Sequence, residues 1–478
     1  MRTGALVCLA ALLGGCAAVG PNYERPALEA PVQWAEGGEK AEAAPALEQV
    51  AWWKTFGDPV LNGLIEQAAK TNLDLEQARA RVVQARSDLV VAGAAGLPSA
   101  NATASVTRSD ASDNLPVAVR TGPSTVYQAG FDASWEIDVF GGIRRGVEAA
   151  QARLEASVED LRATLLTLLG DVARNYLDVR ANQEQLAITR RNVEAQQETA
   201  AVTRERYRLG LTSYLDVAQA EAQKSATEAN IPTFEAAIKQ SIHRLGILLG
   251  REPNALKVEL SAPSALPRLE GMIAVGLPSE LLARRPDLRR AERQLAAASA
   301  DIGVATAGLY PRFDLSLGLG LQADSISKFS EISSRYWSVV PGVALPVFDG
   351  GKTRAIIEGR RAVYDESLAR YRSAFLSALE DVENTLAAYS AEQARRRILA
   401  DSVRSNEEAV ALANERYRRG LTTFLDVLTS ENALFSAQRS LSQSDANLLT
   451  NLIALYKALG GGWGAADIRL ARAEILLR

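Results

Sequence analysis

The sequence repeats itself at a spacing of about 210 residues, and this duplication restricts the possible folds more than any other feature. Residues 204–221 read RERYRLGLTSYLDVAQAE, and residues 414–431 read NERYRRGLTTFLDVLTSE. Two further pairs of segments match in the same order: residues 74–98 with 287–311, and residues 138–142 with 346–351. Three landmarks in register indicate two tandem structural repeats. We place the first repeat at residues 61–270 and the second at residues 271–460.

Each repeat passes through the same order of sequence patterns. A helical stretch ends at a proline turn, and apolar residues then alternate with polar or small residues. The alternation covers residues 127–138, 313–321 and 337–347, and more weakly residues 99–107. A period of two predicts strands with one apolar face. We therefore predict a β-hairpin in each repeat, at about residues 99–139 and 312–348, which gives four strands in the chain.

Long uninterrupted helices are predicted after both hairpins. Proline is absent from residues 143–208 and from residues 352–418, and apolar residues recur there at alternating spacings of four and three. This pattern predicts coiled-coil helices, which at 1.5 Å per residue would extend for about 100 Å. A tight turn then leads into a return helix of about 35 residues in each repeat. Pro232 predicts a kink in the first return helix, whereas the second contains no proline.

The composition argues against several classes of function. Lysine and arginine number 53 against 57 aspartates and glutamates, so the chain lacks the basic surface of a nucleic-acid-binding protein. His243 is the one histidine, and Cys8 and Cys16 are the two cysteines, which argues against metal centres, disulfide frameworks and most acid–base catalysis. We expect no enzymatic activity, no cofactor and no metal. The glycine-rich residues 460–464 lack the strand context of a phosphate-binding loop and predict a helix stop before a flexible C-terminal tail, residues 461–478.

The first sixteen residues resemble the export signal of a bacterial lipoprotein. Arg2 precedes a short apolar run, and the sequence Leu13-Gly14-Gly15-Cys16 resembles a lipobox, in which the cysteine becomes the acylated first residue of the mature protein. We therefore interpret residues 1–15 as a signal peptide and residues 16–60 as a lipidated N-terminal segment. The residue after Cys16 is alanine rather than aspartate, which in such lipoproteins implies sorting to the outer membrane. The alternative is an ordinary signal peptide with an incidental cysteine.

The four predicted strands cannot close a membrane sheet by themselves. Membrane barrels have at least about eight strands of roughly 9–11 residues, and an open sheet edge cannot face lipid. A location in the outer membrane therefore requires several subunits to pool their strands, and three chains would supply twelve. The alternation alone is also compatible with a sheet that packs on the helices of a water-soluble protein.

Together, these features resemble the TolC-like outer-membrane efflux proteins, and specifically their lipidated branch associated with multidrug exporters. The segments that carry the resemblance are Cys16, residues 20–26 (GPNYERP), residues 52–59 (WWKTFGDP), and the paired Tyr-x-x-Gly-Leu-Thr-x-x-Leu-Asp-Val signatures at residues 207–217 and 417–427. The resemblance implies a homotrimeric channel-tunnel that is mainly α with membrane β. Three chains would form a 12-stranded β-barrel in the outer membrane, continued by an α-barrel of coiled-coil helices across the periplasm.

The resemblance also implies a function and partners. The trimer would be a passive duct of a tripartite efflux system, and it would receive substrates from an inner-membrane pump and a periplasmic adaptor protein. Channels of other exporters, such as type I secretion or metal efflux, are alternatives. A structural coiled-coil lipoprotein is a further alternative, although a tether would not need strand pairs in both repeats. The transported substrate does not follow from the sequence.

Two groups of residues near the turns are implied to be functional. Family members with this signature have an aspartate that faces the lumen, so Asp426, with Tyr417 beside it, is expected to close the periplasmic gate. Asp216 and Tyr207 are their counterparts in the first repeat. The alternative role for Asp426 is a helix cap. The expected adaptor-docking tips are Leu209, Gly210, Leu211 and Thr212 in the first repeat, and Arg419, Gly420, Leu421 and Thr422 in the second.

Overall fold

The computed structural model describes residues 18–36, 51–110, 123–267 and 278–464. The expected signal peptide, Cys16 and residues 465–478 of the expected tail lie outside this part of the chain. The described residues belong to two compact units. Unit 1 contains residues up to 27, residues 81–158 and residues 290–372, and unit 2 contains residues 28–80, 159–289 and 373 onward.

The described residues form eight α-helices longer than ten residues and four strands. In chain order these are α1 (Pro59–Thr71), α2 (Leu73–Ala94), β1 (Ser99–Ser109), β2 (Ser124–Ile137), α3 (Gly142–Arg208), α4 (Tyr214–Glu228), α5 (Ile231–Leu248), α6 (Pro286–Ala307), β3 (Arg312–Ala323), β4 (Arg335–Ala344), α7 (Lys352–Arg418) and α8 (Phe424–Ala458). Short helical turns occur at Trp52–Phe56, Lys257–Leu260, Pro278–Glu280, Leu281–Arg284 and Ile332–Ser334. Both repeats follow the predicted order of helix, β-hairpin, long helix and return path. None of these described helices combines the length and apolar composition that crossing a membrane requires.

The two long helices have the lengths that the absence of proline predicts. α3 and α7 each contain 67 residues. The second return helix, α8, continues for 35 residues, whereas the first return path is divided into α4 and α5. The division falls at Ala229 and Asn230, because Pro232 occupies the first turn of α5 and has no amide hydrogen to continue the helix before it. The predicted kink is therefore a complete break.

Unit 1 contains an antiparallel sheet with the strand order β1–β2–β3–β4. The pairing of β2 with β3 joins the hairpins of the two repeats, with Gly130 opposite Gly320. One face of the sheet is apolar, and Phe131, Leu319 and Trp337 lie side by side on it. These three side chains are 61%, 57% and 79% exposed. Within the described chain, β1 and β4 each have one unpaired edge, so the sheet combines an exposed apolar face with two open edges.

The opposite face of the same sheet is polar and rich in glycine. The Thr103 hydroxyl donates to Asp132 Oδ2 at 2.9 Å, and the Gln128 side-chain amide donates to the Tyr336 hydroxyl at 3.0 Å. The Tyr336 ring lies so close to Gly320 that a side chain at position 320 would collide with it. Two faces of such different chemistry are typical of a sheet that meets lipid on one side and water on the other.

The GPNYERP segment is fixed to unit 1 by a buried arginine. Arg145 is 5% exposed, and its Nε donates to the Val19 carbonyl at 3.1 Å while a terminal nitrogen donates to Asn22 Oδ1 at 2.7 Å. Gly20 has a φ of +90°, and a side chain there would collide with the backbone of Gly303. Glycine is required at position 20 because both the positive φ and the close backbone approach exclude a Cβ atom. This motif therefore positions the start of the described chain.

The WWKTFGDP segment has a structural role in unit 2. Trp52 is 1% exposed and stacks on Tyr456 with 5.5 Å between ring centroids. Asp58 caps α1 by accepting from the Val60 amide at 2.8 Å, and it also accepts from the Tyr176 hydroxyl at 2.5 Å. Burial raises the pKa of Tyr176 to about 12, so the hydroxyl keeps the proton that it donates. The segment therefore ties α1 to α3 and α8.

Residues 460–464 are packed and do not form the start of a flexible tail. Trp463 is 7% exposed, and its indole Nε1 donates to the Arg284 carbonyl at 3.1 Å. The Arg162 guanidinium lies 4.8 Å from the centroid of the same ring. Gly462, with a φ of +97°, turns the chain so that the tryptophan reaches this site. The expectation of flexibility is wrong for these residues, because a buried tryptophan follows the glycines and finds a hydrogen-bond acceptor.

Candidate functional site

Two helix–turn–helix tips in unit 2 contain the residues expected to be functional. The first tip joins α3 to α4, and the second joins α7 to α8. Their central glycines, Gly210 and Gly420, both have a φ of +73°. In the first tip the Leu211 amide donates to the Arg206 carbonyl at 2.8 Å, and the corresponding bond in the second tip measures 2.9 Å. Both are Schellman caps, so the two repeats end their long helices with the same backbone geometry.

Both tips present apolar side chains away from the packed part of unit 2. Leu209, Leu211 and Leu421 are 58%, 61% and 63% exposed. Arg419 stands where the first tip has Leu209, and it forms an ion pair with Glu415 on its own helix. The tips therefore have the same backbone but differ in charge, which matters for any partner that contacts both.

Asp426 caps the helix that follows the second tip. Its Oδ2 accepts from the Thr423 amide at 3.2 Å and from the Thr423 hydroxyl at 3.0 Å, and it also accepts from the Thr422 hydroxyl. These bonds complete a capping box at the start of α8. Hydrogen bonds from Thr422 and Thr423 lower the pKa of Asp426. The carboxylate is therefore ionised near neutral pH, and it remains exposed while it acts as a cap.

Asp216 occupies the equivalent position at the start of α4 but forms a weaker cap. It accepts from the Thr212 hydroxyl and, at 3.3 Å, from the Ser213 hydroxyl. The side chain of Ser213 makes no capping bond to the backbone of α4. The two aspartates thus share a position in the repeat but differ in how firmly they hold the following helix.

The two tyrosines expected at the gate differ in burial although they stand in the same motif. Tyr417 is 3% exposed, packs edge-on against Phe424 at 5.8 Å, and has the Arg206 guanidinium 4.6 Å from its ring centroid. Tyr207 is 46% exposed and contacts the exposed ring of Tyr214 at 5.7 Å. In this conformation Tyr417 is covered by its own chain, because Arg206 and Phe424 enclose it. It therefore does not project from the surface as a residue that narrows an opening would.

A polar seam on α3, which sequence analysis missed, faces the second repeat. Its members follow the 4-3 spacing of a coiled coil: Gln185, Thr189, Asn192, Gln196, Thr199 and Thr203. Three of them bond to α8: Gln185 to the Arg439 carbonyl at 3.0 Å, Asn192 to Gln438 Oε1 at 3.0 Å, and Thr199 to Glu431 Oε1 at 2.7 Å. The sequence could have identified the seam, because these polar residues recur at the same 4-3 spacing as the apolar residues of a coiled coil.

The expected gate residues are thus distributed between the two tips. Tyr417 and Asp426 belong to the second tip, and Tyr207 and Asp216 belong to the first. Among the residues that the structure describes, no group of three or more His, Cys, Asp or Glu side chains could hold a metal ion. His243 Nε2 lies 3.0 Å from Asn254 Oδ1 and is hydrogen-bonded within unit 2. Both tips therefore offer exposed leucines, and the second tip also offers the exposed carboxylate of Asp426.

Comparison with protein families gives a match over both repeats. The family model described as "Outer membrane efflux protein" matches residues 64–251 and 277–461. These two ranges include all four strands and both tips.

Similar proteins match over nearly the whole chain. The pyoverdine export outer membrane protein OpmQ of Pseudomonas putida is 36% identical over 89% of this chain and 91% of its own length. Nodulation protein T of Rhizobium leguminosarum bv. trifolii is 32% identical over 95% of this chain and 96% of its own length. The solved structure of the outer-membrane channel OprN aligns with a TM-score of 0.89 at 36% identity, covering 94% of this chain and 100% of that chain.

Proposed function

This chain belongs to the outer membrane efflux protein family, and from that membership we propose that three copies assemble into one passive duct fed by an inner-membrane pump. The chain is an outer-membrane channel for efflux, and its fold is that of solved outer-membrane channels. The duct itself carries out no chemical step. The pump supplies the energy, and substrates diffuse through a water-filled passage.

The sheet of unit 1 is the observation that best supports assembly into a trimer. Its β1 and β4 edges present unpaired backbone groups among the described residues, and such groups cannot face hydrocarbon without a large energetic cost. Three copies would pair these edges with one another and give twelve strands. The face that contains Phe131 and Trp337 would then meet lipid, and the face that contains Gln128 and Asp132 would line the passage.

The tips are proposed to dock a periplasmic adaptor. Each long helix begins soon after a strand and ends at a tip, and 67 residues at 1.5 Å per residue correspond to about 100 Å. Three chains would present six tips with the same Schellman backbone. The exposed Leu211 and Leu421 offer equivalent apolar contacts to an adaptor that has sixfold or threefold symmetry.

Acyl chains on Cys16 are proposed to add a lipid anchor at the outer membrane. The lipobox supplies the motif, and each acyl CH₂ that enters the bilayer contributes about 0.8 kcal/mol. The Arg145 contacts to Val19 and Asn22 support this proposal, because they hold the chain to unit 1 a few residues after the cysteine.

Electrical recording tests the duct. Purified full-length protein is added to a planar lipid bilayer, and discrete current steps of uniform size are expected because each assembly forms one passage. A structural tether would insert without such current steps.

Complementation in cells tests whether the duct serves efflux. Expression beside a compatible pump and adaptor, in a host that lacks its own channel, is expected to restore export. Current steps in the bilayer without restored export would indicate a pore with another function.

A further inference from the structure

A cavity of about 140 Å³, lined by both polar and apolar side chains, lies between α3, α7 and α8 in unit 2. Gln196 and Thr199 line it from α3, Asn414 and Tyr417 from α7, and Glu431 from α8. A water molecule in the liquid occupies roughly 30 Å³, so the cavity is large enough for a small hydrated ligand. It lies beside the polar seam and next to the second tip.

Glu431 brings a carboxyl group into this cavity that has no ion-pair partner among the described residues. Glu431 is 9% exposed. Its Oε1 accepts a hydrogen bond from the Thr199 hydroxyl at 2.7 Å, and the Asn414 side-chain amide also donates to the carboxyl group. Neither Lys nor Arg forms an ion pair with it in the part of the chain that the structure describes. Burial raises the pKa of Glu431, which reflects the cost of keeping the charge in this place.

The first repeat compensates the equivalent carboxylate with an arginine. Glu221 occupies the position of Glu431, and it forms an ion pair with Arg204 on the surface. The residue equivalent to Arg204 in the second repeat is Asn414. The repeat that buries its carboxylate has thus replaced the cation with a neutral amide, and the positive charge must come from elsewhere or the carboxylate must be protonated.

Two other buried groups in the cavity lack hydrogen-bond partners. Gln196 is 4% exposed, and neither its Oε1 nor its Nε2 has a partner among the described residues. The buried Tyr417 hydroxyl is likewise unpartnered within the described chain. Buried polar atoms without partners are costly and rare in folded proteins, so several of them around one carboxylate indicate a ligand that they bind.

We propose that this cavity binds one hydrated monovalent cation, of the type of Na⁺ or K⁺, whose charge balances Glu431. The carboxylate of Glu431, the amide oxygen of Gln196 and the hydroxyl of Tyr417 are oxygen ligands of the kind that hard cations prefer. The single carboxylate balances the single positive charge of such an ion. A bound cation would join α3, α7 and α8 across the polar seam, whether or not the assembly acts as a duct.

The other charged groups around the cavity are Glu198 and Arg418 on its exposed rim and Arg206 over the Tyr417 ring.

Hydrogen–deuterium exchange of the full-length protein in detergent tests the site. Amides of α3 at residues 192–203 are followed at pH 8 in KCl or NaCl and in choline chloride of equal ionic strength. A site that is half-saturated at about 10 mM would slow exchange about tenfold between 1 and 100 mM K⁺. Choline is the control, because oxygen ligands do not coordinate its quaternary ammonium group as they coordinate a hard metal cation.

Three variants distinguish the cation site from a general salt effect. Glu431→Gln is expected to lose the difference between K⁺ and choline, while the matched surface variant Glu221→Gln retains it. Asn414→Arg supplies an internal cation and is expected to give slow exchange in every salt. Equal slowing by choline, no slowing by Na⁺ or K⁺ at pH 8, or an unchanged K⁺ response in Glu431→Gln would overturn the proposal. If Glu431→Gln does not assemble, the test depends on Asn414→Arg, and exchange in that variant that still depends on K⁺ would contradict the proposal.

Discussion

The carboxyl group of Asp426 is subject to two opposing influences. Within one chain, hydrogen bonds from Thr422 and Thr423 lower its pKa. In a threefold assembly, three Asp426 carboxylates at the mouth of the duct would repel one another and raise the pKa of at least one of them. Because the side chain stays exposed while it caps α8, one residue can both hold a helix and attract cations to an opening.

Replacement of Asp426 is expected to change conduction. Asp426→Ala should raise the resting conductance and weaken the preference for cations, because the ring of charge is lost and the start of α8 is loosened. Asp216→Ala, the matched change in the first repeat, should have a much smaller effect. Single-channel recordings of both variants, with melting curves, provide the measurement. Unchanged conductance together with lower thermal stability would leave capping as the one role of Asp426.

The lowered pKa of Asp426 also predicts a pH dependence. Its folded pKa lies below that of an unfolded aspartate, about 3.9, so the cap contributes fully above that pH and its contribution is lost as the pH falls through the folded value. Amides at residues 424–428 should therefore lose protection in strong acid after correction for intrinsic exchange. Asp426→Asn keeps an acceptor that does not titrate, and it should remove this change. A variant that titrates like the native protein would contradict the assignment.

At the scale of the helices, the sequence predicts those features that have local causes. The 67-residue helices follow from the absence of proline, the break before α5 follows from Pro232, and both tips follow from glycine. The burial of Tyr417 and the exposure of Tyr207 could not be predicted, because the two stand in almost identical local sequences. Their difference arises from Arg206, which packs on the ring of one tyrosine only and comes from the other repeat.

The tips are expected to contact the adaptor directly. A photoreactive amino acid at Leu211 or at Leu421 should crosslink to the adaptor in cells, since both side chains are more than half exposed at equivalent positions. The same amino acid at Trp337, on the apolar face of the sheet, serves as the control and should give no adaptor product. Crosslinks from Trp337 in the absence of any from the tips would reject tip docking.

At the scale of the whole molecule, the two faces of one strand provide a test of the assembly. Native mass spectrometry of the protein in detergent should give complexes of three chains. Trp337→Arg should reduce their yield, because a cation on a lipid-facing position costs about 2–4 kcal/mol at the centre of a membrane. Ser338→Arg, one residue further along β4 and on the polar face, should be tolerated. Equal effects of the two substitutions would contradict the proposed orientation of the sheet.

The proposed anchor is tested by the chemistry of the mature N-terminus. Cys16→Ser should abolish acylation, because Cys8 would be removed with the proposed signal peptide and would leave no other cysteine. Assembly of the sheet can still hold such a variant in the membrane, so location alone is not the measurement. Mass spectrometry of the N-terminal peptide decides, and an unmodified Cys16 or cleavage at another bond would refute the lipobox.

Fusion of two repeats into one chain lets their surfaces diverge while the backbone stays common. In a ring of six identical one-repeat chains, every tip would have the same residues. In a ring of three two-repeat chains, the residues at neighbouring tips can differ. In the proposed trimer, Leu209 would alternate with Arg419, and Arg204 would alternate with Asn414, at tips that share the same glycine turns. Such a ring of tips would have sixfold symmetry in its turn backbone and threefold symmetry in its side chains. A sixfold partner could then distinguish one rotational setting from the next, sixty degrees away.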